Sequence, residues 1–174
     1  MLKLLCVLIV SFAAGYALDK KAEITWGHIM KVIDYPGVTI KTKDGKTEIT
    51  WNEPINAQIN PLRATFAIRF TKLKKSRSAE LDNLCNTYEK YSLEGSVQRF
   101  ALKTVADIVN CPIKKGAKAT FSVPTTYSYS EPKDKKLCGP YRSEMKIFRK
   151  KDKGDALPII IGVFRGNITG CLET

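Results

Sequence analysis

The segment Val38-Thr39-Ile40-Lys41-Thr42-Lys43-Asp44-Gly45-Lys46-Thr47-Glu48-Ile49-Thr50-Trp51 alternates apolar and polar residues on both sides of Asp44-Gly45. Two alternating runs joined by D-G are the strongest short-range signature of a β-hairpin. Val38, Ile40, Ile49 and Trp51 carry the faces that meet. Upstream, residues 23–33 alternate loosely around Trp26, with Ile24, Ile29 and Val32 apolar, and Pro36-Gly37 marks a turn. Downstream, Asn52 to Pro61 holds two prolines and reads as a connection. Ala64 to Leu73 alternates again: Phe66, Ile68 and Phe70 share one face, and Thr65, Arg69 and Thr71 the other.

The period then changes. Leu81, Leu84, Cys85, Tyr88 and Tyr91 recur at spacings of three and four, which predicts an amphipathic helix from Ala79 to Tyr91 with Ser78 as its N-cap. Val97, Phe100, Ala101, Val105, Ile108 and Val109 predict a second helix, or a helix running into a strand. The helical insert therefore spans about 78–110. Ala117 to Val123 reads as a strand stopped by Pro124, and Tyr127 and Tyr129 follow in a Ser/Thr/Pro-rich stretch. Tyr141 to Lys150 alternates cleanly, with Tyr141, Ser143, Met145 and Ile147 on one face. Leu157 to Cys171 is a last strand, apolar on both faces. Antiparallel strands are commonly wet on one face, so this one is buried twice or divides a core from an apolar cavity. Strands, a helical insert and more strands make one mainly β domain.

The 174 residues, 44% hydrophobic and 26% charged, suit a single globular domain. Its start has another character. Met1-Leu2-Lys3 is a short basic region, Leu4 to Ala14 is apolar, and small residues precede a cut after Ala17. This reads as a secretory signal peptide over 1–17, leaving 18–174 as the domain and marking the protein as secreted. The apolar run is too short to span a bilayer. Without residues 1–17 the net charge falls from +12 to +11 through loss of Lys3, and Cys85, Cys111, Cys138 and Cys171 remain. Four cysteines in a secreted chain predict two disulfides, in any of three pairings. No C-x-x-C pair points to zinc or redox chemistry, and no cofactor or metal is expected.

His28 is the only histidine. A two-histidine nuclease mechanism is excluded. A Ser-His-Asp triad would have to use His28, which lies in a strand-like segment with no G-x-S-x-G elbow in the chain. No pair of carboxylates is singled out for sugar cleavage either. The chain is therefore read as a non-enzyme.

Part of the second half resembles a known family. Cys111-Pro112-Ile113-Lys114-Lys115-Gly116, followed by Phe121-Ser122-Val123-Pro124, is similar to the C-P-x-K-x-G segment of ganglioside-activator and related ML-type lipid-recognition domains. Gly139-Pro140-Tyr141-Arg142-Ser143-Glu144 resembles their G-x-Y-R-x-E strand start. The closing Gly170-Cys171 and the upstream Leu84-Cys85-Asn86-Thr87-Tyr88-Glu89 also have counterparts, as they do in related arthropod activator-like proteins. The likeness covers roughly residues 80–171. The family usually has more cysteines, one of them near the mature N-terminus and paired with the last. This chain lacks it, so the family's disulfide map does not carry over; Cys85–Cys111 and Cys138–Cys171 are favoured.

The resemblance implies a disulfide-bonded antiparallel β-cup or β-sandwich whose apolar cavity holds a lipid or other apolar small molecule without catalysis. Such a pocket needs apolar walls and a few polar groups at its mouth. Phe66, Ile68, Phe70, Phe121, Val123, Met145, Ile147, Ile159, Ile161 and Val163 are the candidate wall residues. Alternating apolar strand residues are ordinarily plain core, so this choice rests on the resemblance.

Basic residues cluster in turns and at strand ends: Lys72, Lys74 and Lys75, then Lys114 and Lys115, with further runs at 133–136 and 149–153. Near an acidic bilayer each charge is worth about 1 kcal/mol. These lysines are candidates for an anionic membrane surface or glycan. They also support the alternative of a secreted basic toxin-like or defence protein. Nucleic acid is not an expected partner outside the cell. Asn167-Ile168-Thr169 is a glycosylation sequon with Asn167 facing solvent.

Overall fold

A computed structural model describes residues 17–132, 137–152 and 156–171. The expected signal peptide, apart from Ala17, and the lysine run at 133–136 lie outside these residues. The fold is mainly β: an antiparallel six-stranded sheet curled into a half-barrel, a three-stranded sheet and one helix among the described residues.

The D-G hairpin forms as its alternation requires. Strands β2 (Val38–Lys43) and β3 (Lys46–Trp51) pair with Lys43 opposite Lys46 and Val38 opposite Trp51. Asp44 and Gly45 take the positive φ angles of 50° and 73° that a tight hairpin turn demands. The short β6 (Lys118–Phe121) adds to β3 and completes the small sheet.

The large sheet has the order β5-β4-β8-β9-β1-β7. Its strands are β1 (Ala17–Lys31), β4 (Leu62–Phe70), β5 (Lys75–Leu81), β7 (Thr125–Pro132), β8 (Gly139–Arg149) and β9 (Ile160–Thr169). A bulge in β1 between Ile24 and Trp26 shifts its register against β9. Ile24 is thereby buried while Trp26, two residues on, faces out under the Arg165 guanidinium. His28 lies exposed on the same outer face.

The helix expected over 79–91 does not form. Lys75–Leu81 pairs with β4 instead, placing Ala79 and Leu81 in the core and Ser78 and Glu80 outside. Asn83 then holds the chain in an irregular path. Its carboxamide oxygen accepts the Cys85 amide at 3.0 Å and its Nδ2 donates to the Ala57 carbonyl at 2.9 Å. Asn competes in this way with helical hydrogen bonding. The helical insert is thus narrower than 78–110. It is α1 (Leu93–Ala106), capped by Ser92, whose hydroxyl accepts the Gly95 amide, and ended by Asp107 in the left-handed region.

Helix α1 buries Val97, Ala101, Leu102 and Val105 between the two sheets. The Trp51 indole of the small sheet donates to the Val105 carbonyl at 2.8 Å. Two disulfides complete the fold: Cys85–Cys111 ties the irregular segment to the loop after α1, and Cys138–Cys171 joins the start of β8 to the end of β9. Disulfides of this kind persist in an oxidising environment. No described helix is long and apolar enough to cross a membrane.

Candidate functional site

The inner face of the large sheet divides partway along its strands. On β4, Leu62 and Ala64 enter the main core, whereas Phe66, Ile68 and Phe70 line a cavity. On β8, Ile147 and Met145 are core and Ser143 and Tyr141 line the cavity. Along β9 the division falls between Phe164 and Ile168, and along β1 between Ile24 and Ala22. The edge strands add Arg77 from β5 and Tyr127 and Tyr129 from β7, so all six strands contribute. Helix α1 covers the cavity with Leu93, Ser96, Val97 and Phe100.

Phe100 is the partition between core and cavity. Its ring makes edge contacts with Phe66, Tyr127 and Phe164, at centroid distances of 5.8, 5.2 and 5.3 Å. Tyr127 also donates from its hydroxyl to the Ser96 carbonyl at 3.2 Å, fastening β7 to the helix. Burial raises the Tyr127 pKa, with the Arg99 guanidinium opposing. Burial alone pushes Tyr141 up to about 12. Nearby, the almost fully buried Lys20 reaches the Leu137 carbonyl at 3.5 Å.

The cavity volume is about 70 Å³. That is several times what one water needs and well short of a drug-sized pocket. Its lining is overwhelmingly apolar and it opens partway to the surface, as a site for an apolar guest requires. A larger groove lies beyond Tyr129, between Tyr88, Tyr91, Arg99 and Ser130, but its lining is mixed and polar.

The candidate wall residues separate along these lines. Phe66, Ile68 and Phe70 line the cavity. Met145, Ile147, Ile159 and Phe121 are in the main core, and Val123 packs against it. Ile161 and Val163 are half-buried on the outer face of β9, opposite Met30 and His28 of β1. The β9 face carrying Ile160, Phe164 and Ile168 is the one that passes from core to cavity.

Lys72, Lys74 and Lys75 are exposed at the β4–β5 turn, and Lys114 and Lys115 are exposed before β6 of the other sheet. Asn167 is half-buried on the outer face of β9, between β1 and β8. Tyr127, Tyr129 and Tyr141 are lining residues absent from the sequence-based set. The alternation Thr126-Tyr127-Ser128-Tyr129-Ser130 is the signal that would have found β7. No group of three or more His, Cys, Asp or Glu side chains among the described residues is placed to hold a metal. Comparison with family models, with curated proteins and with solved structures finds no match to this chain.

Proposed function

We propose that this protein is a secreted, non-catalytic binder of a slender apolar molecule, such as a single alkyl chain, held between α1 and the curled sheet. The observation that carries this reading is the cavity itself: an apolar lining drawn from all six strands and covered on one side by one helix. The resemblance of residues 80–171 to ganglioside-activator and ML-type domains supports the same reading. So does the cysteine usage, which suits an extracellular protein. The exposed lysines at the β4–β5 turn adjoin the Phe70 end of the cavity and would favour anionic surfaces from which cargo is drawn.

The test is native mass spectrometry of the secreted protein, followed by organic extraction. One apolar molecule per chain is expected. An apo mass that persists after incubation with 1-octanol contradicts the proposal.

A further inference from the structure

We propose that the cavity selects a guest bearing an uncharged hydrogen-bonding group on an apolar body, and that Tyr141 and Ser143 recognise that group. This rests on the ligand-cavity reading above and adds the chemistry of the guest.

Tyr141 and Ser143 are alternate residues of β8 and project from one face, side by side. Both line the cavity, and each is only 5% exposed. Their cross-strand neighbours are Phe70 and Ile68 on β4, and Gly166 and Phe164 on β9. None of these side chains offers a hydrogen bond. No hydrogen bond joins either hydroxyl to another described residue, whereas Tyr127, also in the lining, is bonded to α1. Both oxygens are open to the cavity: among the described residues the one buried side-chain nitrogen or oxygen without a partner is Glu53 Oε1. Two hydroxyls at adjacent inward positions, open to an otherwise apolar cavity and not used by the protein, are placed to bond a guest with a carbonyl, ester or hydroxyl group.

The guest's polar group is uncharged for two reasons. An ion in an apolar cavity loses its hydration, and two hydroxyls do not replace it. Arg77, the one charged residue of the lining, is itself engaged in another interaction.

The test is isothermal titration calorimetry with p-cresol and p-xylene, which differ by a hydroxyl in place of a methyl group. The wild-type protein is expected to bind p-cresol at least as tightly as p-xylene. The double variant Tyr141→Phe/Ser143→Ala is expected to lose about tenfold in p-cresol affinity while p-xylene binding stays the same. Both substitutions delete unpaired hydroxyls, so the fold should persist, and its thermal midpoint verifies this. Unchanged p-cresol affinity in the variant overturns the inference, as does a wild-type protein that takes p-xylene and excludes p-cresol. Failure of the wild-type protein to bind either compound overturns the ligand-cavity reading itself.

Discussion

Phe100 of α1 and Tyr127 of β7 meet edge to face with ring centroids 5.2 Å apart, and this pair joins the helix to an edge of the large sheet. The same Phe100 ring touches Phe66 and Phe164, so one side chain closes the cavity and borders the core. Truncation to Phe100→Ala removes three aromatic contacts and merges cavity with core. A loss of about 3 kcal/mol is expected. Urea denaturation of the variant against wild type measures it, and a loss below about 1 kcal/mol would show that Phe100 is not a partition.

Trp51 holds the small sheet to the end of α1 through its bond to the Val105 carbonyl. That carbonyl is among the last four of the helix, which lack intrahelical partners. Trp51→Phe leaves it buried and unpaired and vacates part of the indole site. The expected cost is about 2–3 kcal/mol. Equal denaturation midpoints for variant and wild type would contradict this.

Tyr141 gives stability a definite alkaline dependence. Burial raises its folded pKa to about 12, above its ordinary value of 10.0. The phenol's contribution is therefore fully present below the unfolded pKa. It is lost as pH rises from about 10 through about 12, because the unfolded chain releases the proton first. The slope from this group reaches at most about 1.4 kcal/mol per pH unit. Stability curves between pH 9 and 12 should be flatter for Tyr141→Phe than for wild type. Parallel curves would place the phenol in water.

The large features of the fold were legible because they depend on local periodicity. The Asp44-Gly45 hairpin and the alternation of β4 and β8 follow from side chains two residues apart. The helix expected over 79–91 does not form because Leu81, Leu84, Cys85 and Tyr88 fit a helical spacing only by coincidence. Pairing of Lys75–Leu81 with β4 and the Asn83 bond to Ala57, 26 residues away, decide that segment, and helical spacing carries no trace of either. The site was only partly legible for a related reason. Periodicity tells which face Phe66, Met145 and Ile147 occupy. It does not tell how far along each strand α1 reaches, and that sets where core gives way to cavity.

The direct test of the cavity is to fill it. Ala22 lines it from β1 and is buried. Titration calorimetry with 1-octanol compares wild type with Ala22→Phe, whose added ring occupies the space, and thermal unfolding confirms that the variant folds. One-to-one binding by wild type, lost in Ala22→Phe, is the predicted result. No binding by wild type, or equal binding by both, would contradict the cavity as the binding site.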